Sequence, residues 1–159
     1  MLIVLIVVGV VFADQITKFS IVTRFGLGEN LPVIQGLFDL RYVRNTGAAW
    51  GIFAGHNLPL IILSLVMLVV IFTYRRQFLY DSRLHRVAGG LMTAGIIGNL
   101  IDRIRMGYVI DFLDFYTGPK HFPAFNIADS AICVGVSLYI LTQVLEIRLE
   151  RKKKLAEKE

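Results

Sequence analysis

Aspartates and asparagines are the residues of this chain whose types and spacing could do chemistry. Three polar clusters fall within 35 residues of an otherwise apolar sequence, between positions 95 and 129. They read G-I-I-G-N-L-I-D-R, V-I-D-F-L-D-F and F-N-I-A-D. Ionisable groups in or near lipid are costly, so they are by default a functional hypothesis. The leading hypothesis is that Asp111 and Asp129 form a catalytic pair.

Acid–base chemistry here must rest on aspartates, because no glutamate occurs between Glu29 and Glu146. Two aspartates held close together cannot both ionise easily, so they share a proton. The ionised one can then act as a base toward water while its protonated partner polarises a peptide carbonyl, as in aspartic proteases.

Other catalytic chemistries find little support. The three histidines are scattered, with no H-E-x-x-H pattern for zinc and no G-x-S-x-G elbow. Cys133 is the only cysteine, which excludes an internal disulfide and a cysteine-based metal site. We therefore expect no metal and no cofactor.

The residues alone leave two alternatives open. Asn126 could be the N-cap of a helix with Asp129 at its third position, and this capping box would account for an acid there without catalysis. Asp114 is the rival of Asp111, and spacing does not choose between them.

The elements that must position these residues are membrane helices. The chain has 159 residues, of which 55% are hydrophobic and 18% charged, and its mean hydropathy is +0.64. These values favour a multispanning membrane protein over a soluble globule. The net charge of +5 collects at helix ends, which argues against a nucleic-acid partner. We predict one membrane domain over 1–159, an all-α integral membrane protein with spans at 1–25, 58–74, 84–103 and 127–147.

Basic residues set the predicted orientation. They crowd the segment between the second and third spans and the tail at 148–159, so the positive-inside rule places both termini in the cytoplasm. The first span then ends outside, the third ends outside and the fourth begins outside. The polar residues therefore converge near the outer surface.

The segment at 26–57 is predicted to be an extracytoplasmic loop with a small β-like region. Apolar and polar residues alternate around Phe38, Leu40 and Tyr42, which is typical of a strand. Small residues surround Trp50 in the run that begins at Asn45. This run is either an ordinary turn with an interfacial anchor or a place where a ligand or backbone approaches closely, and the strand and Trp50 would cover the site and limit water.

Asp14 and Lys18 occupy one face of the first span at i and i+4. Either they form a structural ion pair against a neighbouring helix, or they face the site. Two other classes of function also compete with a protease. An ion-coupled transporter would show broken helices and an internal repeat, and neither is found. In an assembly factor, the polar residues would serve only helix packing.

The chain resembles the lipoprotein signal peptidase (signal peptidase II) family over essentially its whole length. The motifs that carry the resemblance are D-Q-I-T-K at 14–18, N-T-G-A-A-W-G at 45–51, G-N-L-I-D-R at 98–103, V-I-D-F at 109–112 and F-N-I-A-D at 125–129. The resemblance implies an aspartic endopeptidase of the bacterial inner membrane. Its substrates would be prolipoproteins, cut just before a cysteine that carries a diacylglyceryl group.

The resemblance also assigns the site. It makes Asp111 and Asp129 the catalytic dyad, and thereby chooses Asp111 over Asp114. It implies that the partners of the protein are diacylglyceryl-modified prolipoprotein substrates and membrane lipid. It also implies that the inhibitor globomycin binds in the same site. The supporting and substrate-binding residues that it implies are Asp14, Lys18, Asn45, Gly47, Asn99, Asp102, Arg103, Asn126 and Ala128.

Overall fold

Four helices and a four-stranded antiparallel sheet make up the computed structural model, which describes residues 1–48, 52–76 and 82–156. Trp50 and the end of the basic tail at 157–159 lie outside the described residues, so the predicted cover of the site by Trp50 stays a prediction. The helices are α1 (Leu2–Arg24), α2 (Asn57–Thr73), α3 (Arg83–Met106) and α4 (Ile127–Ala156).

Two of the described helices are long and apolar enough to cross a membrane. These are α1, with a mean hydropathy of 2.1, and α4, with 1.7. The apolar helix α2 has only 17 residues. The four-span prediction therefore rests on charge and periodicity as well as on length. Helix α4 also runs on through the basic segment that we assigned to a tail from 148.

The sheet differs from the prediction. Its strands are β1 (Asn30–Ile34), β2 (Phe38–Asn45), β3 (Val109–Thr117) and β4 (Lys120–His121), hydrogen-bonded in that order. Only β1 and β2 belong to the loop between the first two helices. The prediction of an all-α protein with a β-like region in that loop alone is therefore incomplete. The missed strand, β3, is buried over its first four residues. A short apolar run of this kind does not reveal by periodicity whether it is a helix or a strand.

Two apolar contacts hold the site between the helices and the sheet. The end of α1 packs on the sheet through Ile21, Tyr42 and Phe112. Helix α2 packs on α3 through Ile71 and Met92. Strand β3 follows α3 after only two residues, and its Ile110 N–H bonds Asp102 near the end of α3. This arrangement places polar side chains from α1, α3, β3 and α4 at one end of the helices.

Candidate active site

Asp111 lies on β3 and is 1% exposed. Its Oδ1 accepts a hydrogen bond from Asn126 Nδ2 at 2.7 Å, and its Oδ2 accepts one from Asn45 Nδ2 at 2.9 Å. Burial, with the nearby charge of Asp129 as a second cause, raises the pKa of Asp111 from 3.8 to about 7. The two amide donors oppose this rise but do not cancel it. Asp111 therefore retains its proton until the pH approaches neutrality.

Asp129 lies in the first turn of α4, and the capping box expected from the sequence is present. The Asp129 N–H donates to Asn126 Oδ1 at 2.9 Å, and the Asn126 N–H donates back to Asp129 Oδ2 at 3.2 Å. The other carboxylate oxygen, Oδ1, accepts from Asn99 Nδ2 at 2.7 Å. The carboxylate thus caps the helix and also lines an apolar cavity of about 620 Å³.

Asn126 joins the two aspartates. It is fully buried, and its Nδ2 lies 2.7 Å from Asp111 Oδ1 and 3.1 Å from Asn99 Oδ1. Its Oδ1 receives the Asp129 N–H. An amide supplies two donor hydrogens and one acceptor oxygen, so one side chain fixes both carboxyl groups relative to each other.

A buried lysine contacts the side chains that surround the candidate dyad. Lys18 Nζ lies 2.8 Å from Asp102 Oδ2, 2.9 Å from Asp14 Oδ2 and 3.1 Å from Asn99 Oδ1. Asn99 links Lys18 to Asp129, because its Nδ2 donates a hydrogen bond to Asp129 Oδ1. Lys18 therefore forms ion pairs with two buried carboxylates, and it also contacts the asparagine whose amide bonds Asp129.

Backbone contacts tie this cluster to the elements around it. The Ala128 N–H donates to Asp14 Oδ1 at 2.9 Å, and the Ile110 N–H donates to Asp102 Oδ2 at 3.2 Å. Gln15, which sequence reasoning missed, bonds both Asp102 and Asp14 through its Nε2. Its position inside the D-Q-I-T-K motif was the signal that could have found it.

Gly98 and Gly95 allow these groups to meet. A Cβ on Gly98 would lie 2.7 Å from Asp14 Oδ2 and 3.1 Å from the Cβ of Ala128. A Cβ on Gly95 would overlap the carbonyl oxygen of Ala128. Helices α3 and α4 therefore approach closely only because these two positions carry no side chain.

The outer loop closes on the site through Asn45 and Gly47. The Gly47 N–H donates to Asn45 Oδ1 at 2.9 Å, and Arg103 Nη2 donates to the Gly47 carbonyl at 3.2 Å. Asn57, also missed from the sequence, donates to the Arg103 carbonyl at 3.0 Å. Arg103 thereby connects the loop, α2 and α3 beside the candidate dyad.

Asp114 lies in a different environment. Its carboxylate contacts His121 Nδ1 at 2.9 Å and Arg41 Nη1 at 3.6 Å, and it is paired in register with Asp39 of β2. Residues three apart on a strand project to opposite faces. The structure therefore brings Asp111, but not Asp114, to the asparagines that contact Asp129.

Two cavities border the candidate dyad. The larger one, of about 620 Å³, runs between α2, α3 and α4, has mostly apolar walls and includes Asp129 in its lining. The smaller one, of about 250 Å³, lies on the sheet side and includes Asp111. Four residues line both cavities, namely Asn45, Ala48, Pro123 and Ala124. A polypeptide that crosses from one cavity to the other would pass the two carboxyl groups.

The arrangement offers two carboxyl groups that could perform acid–base chemistry. Within the described ranges, no group of three or more histidine, cysteine, aspartate or glutamate side chains could hold a metal ion. The two carboxyl groups differ in their donors, since Asp111 accepts only from side-chain amides whereas Asp129 accepts from an amide and a backbone N–H. Such unequal environments can keep one carboxyl group protonated and the other ionised.

Comparison with known proteins shows the family of the chain. The family described as signal peptidase (SPase) II matches residues 6–145. The chain belongs to the signal peptidase II family. The lipoprotein signal peptidase of Syntrophotalea carbinolica is 49% identical over 142 residues, which cover 87% of this chain and 88% of the relative. That of Bacillus subtilis is 38% identical over 152 residues, covering 96% of this chain and 99% of the relative.

The fold agrees with solved structures. A bacterial membrane enzyme determined by the in meso method at 2.3 Å resolution superimposes with a TM-score of 0.83 at 37% identity, covering 91% of this chain and 88% of that one. A second, at 1.9 Å resolution, gives a TM-score of 0.77 at 37% identity, with 89% and 91% covered. As a member of the signal peptidase II family, the chain is a membrane protein and a protease.

Proposed function

We propose that this signal peptidase is an intramembrane aspartic endopeptidase that removes the signal peptide from diacylglyceryl-modified prolipoproteins. One observation carries the proposal. Asp111 and Asp129, from different elements, both bond the buried side chain or backbone of Asn126 at the border of an apolar cavity. Membership in a family of signal peptidases supplies the reaction class, and the relatives named lipoprotein signal peptidase supply the substrate class.

The mechanism follows from the unequal carboxyl groups. Asp111, with its raised pKa of about 7, holds the shared proton and donates it to the carbonyl oxygen of the scissile peptide bond. Asp129 is the ionised partner and takes a proton from the attacking water. The Asn99 amide, which is itself held by Lys18, stabilises that carboxylate.

Collapse of the tetrahedral intermediate completes the reaction. The proton on Asp129 passes to the leaving nitrogen of the cysteine, the carbon–nitrogen bond breaks, and the carbonyl proton returns to Asp111. The products are the free signal peptide with a new carboxyl group and a lipoprotein with a new amino group. The dyad ends in its starting protonation state, so no cofactor is consumed.

The membrane arrangement is part of the proposal. Four spans with both termini in the cytoplasm of a bacterium place Asp111 and Asp129 near the outer surface of the inner membrane. The acyl chains of the substrate remain in lipid while the cysteine lies at the dyad. The inhibitor globomycin is expected to occupy the larger cavity, which Asp129 lines.

Cleavage by purified protein tests the function. A diacylglyceryl-modified prolipoprotein is incubated with wild type, Asp111→Asn and Asp129→Asn in detergent or nanodiscs, and the released signal peptide is measured. Asparagine keeps the size of the side chain but cannot act as an acid or base. We expect both variants to lose at least about 10³-fold in kcat, in line with an essential proton-transfer group.

Asp114→Asn is the matched control, because Asp114 is a buried carboxylate of the same strand outside the network. It should retain cleavage within a few-fold of wild type. A folded Asp111→Asn or Asp129→Asn variant that cuts at the full rate would remove that residue from the dyad. A wild type that cuts neither lipidated nor unlipidated substrate would overturn the proposed function.

A further inference from the structure

The larger cavity continues below the polar cluster as a groove with apolar walls, which we call the acyl groove. Leu63 and Met67 line it although both are exposed, 53% and 43% respectively, so the groove is open on the α2 side. In a membrane this opening faces acyl chains. The described residues that form the acyl groove are Leu63, Ser64, Met67, Ile96, Ile132 and Cys133.

Ser64 is the one hydroxyl among the described residues of the acyl groove, since Ser130 lines the same cavity next to Asp129 and donates its proton to the Asn126 carbonyl. It lies on the same face of α2 as Leu60 and Met67, and its Oγ donates to the Leu60 carbonyl at 2.9 Å. That carbonyl also accepts the helical N–H four residues on, so it remains satisfied if the hydroxyl turns away. A serine hydroxyl rotates freely to suit its partner. Ser64 can therefore offer its proton to an acceptor in the groove at small cost.

The depth of Ser64 matches a particular part of a lipidated cysteine. Asn57, at the start of α2, bonds the Arg103 carbonyl at the level of the candidate dyad. Ser64 follows seven residues later, about 10 Å farther along the helix axis. In a cysteine that carries a diacylglyceryl group, two ester carbonyls follow the sulfur by a few single bonds. They are the first polar groups of the lipid to enter the groove.

An ester carbonyl in this groove needs a donor. Ester oxygens accept hydrogen bonds but cannot donate, and burying one without a partner costs free energy. The other described walls of the groove are hydrocarbon apart from the thioether of Met67, which cannot donate, and the weakly donating thiol of Cys133. A hydroxyl at this depth therefore distinguishes an ester-linked chain from an ether-linked chain of the same length.

Resting on the function proposed above, we propose that Ser64 donates a hydrogen bond to an ester carbonyl of the substrate's diacylglyceryl group and so makes the enzyme selective for ester-linked over ether-linked lipid. This assigns Ser64 a role in substrate specificity.

The test compares two lipidated substrates that differ only in linkage. Prolipoprotein peptides whose cysteine carries a diacyl ester or the matched dialkyl ether of glycerol are cut by wild type and Ser64→Ala. We expect wild type to prefer the ester by about fivefold in kcat/KM, as one net hydrogen bond allows. Ser64→Ala should bring this ratio close to one by slowing the ester substrate alone, chiefly through KM.

Ser20→Ala is the matched control. Ser20 makes the same bond to the carbonyl four residues earlier, at 2.9 Å, but it lies on the exposed face of α1 outside the groove. It should keep the wild-type ratio. The inference is overturned if wild type shows no preference, if Ser64→Ala keeps the ratio, or if it slows both substrates equally. If wild type cuts neither peptide, the proposed function fails and the inference falls with it.

Discussion

At the scale of single residues, the site depends on side chains that each perform two tasks. Asn126 begins α4 and also bonds Asp111, while Asp129 completes the capping box and also lines the larger cavity. Lys18 forms ion pairs with both Asp14 and Asp102 and bonds Asn99. A structural interpretation of any of these residues is therefore no argument against a functional one.

Protonation of Asp111 should be visible in the pH dependence of stability. A pKa raised from 3.8 to about 7 means that the folded protein binds this proton more tightly than the unfolded chain. The resulting stabilisation is complete below about pH 4 and is lost as the pH rises through about 7.

We therefore expect the thermal unfolding temperature of wild type to fall between pH 5 and 8 more steeply than that of Asp111→Asn, which has no proton to lose there. Unfolding in detergent, followed by circular dichroism, measures the two slopes. Glu29→Gln, at an exposed carboxylate, should keep the wild-type slope. Equal slopes in wild type and Asp111→Asn would show that Asp111 titrates as an ordinary carboxylate.

At the scale of elements, the contact between α3 and α4 positions the site. Gly95 meets the carbonyl of Ala128, the residue before Asp129, and Gly98 meets Asp14. Both glycines lie within one turn of Asn99. The distance between these two helices therefore determines whether Asn99 can reach Asp129, a bond of 2.7 Å.

Gly95→Ala should push α3 and α4 apart. An added methyl group would overlap the Ala128 carbonyl and approach Ile132 Cγ1 to 2.6 Å, so we expect a loss of about 1–3 kcal/mol in stability and a larger proportional loss of cleavage. Gly9→Ala is the control, because nothing lies within 4 Å of a Cβ there. It should be neutral or stabilising by up to about 1 kcal/mol. Wild-type unfolding and cleavage in Gly95→Ala would contradict the close contact.

At the scale of the whole molecule, the proposed four-span arrangement differs from one in which only α1 and α4 cross the membrane. Helix α2 is about 26 Å long at about 1.5 Å per residue, a little less than a hydrocarbon core of about 30 Å. Helix α3 is longer but carries basic residues at both ends. The two arrangements differ in one place, because the segment between α2 and α3 is cytoplasmic with four spans and external with two.

Cysteine labelling in intact cells distinguishes them. In a Cys133→Ala background, a membrane-impermeant maleimide should label Glu29→Cys from outside. It should reach Arg83→Cys and Lys153→Cys only after permeabilisation, since the positive-inside rule places both in the cytoplasm. All three positions are exposed on the protein. Labelling of Arg83→Cys in intact cells would exclude the four-span arrangement.

The sequence by itself determined the helices, the strand β2 and the set of polar residues that meet. Long apolar runs and period-two alternation are local patterns, so α1, α2, α4 and β2 could be predicted from the sequence. Most of their predicted ends lie within a few residues of the observed ends. The exception is the end of α4, which continues to Ala156. The capping box at Asn126 was also predictable, because it joins residues only three apart.

Local patterns left open which carboxylates lie together; the family resemblance chose Asp111, and only the tertiary structure supplies the physical reason, because it brings Asp111 and Asp129 to Asn126. Asp111 and Asp114 occupy similar apolar surroundings in sequence, and the register of β3 on β2 turns one toward Asn45 and the other toward His121. The strand β3, Gln15 and Asn57 were missed for the same reason. Gln15 bonds Asp102, which is 87 residues away along the chain, and Asn57 bonds Arg103, which is 46 residues away. Contacts of that range depend on how helices and sheet pack, which local periodicity does not encode.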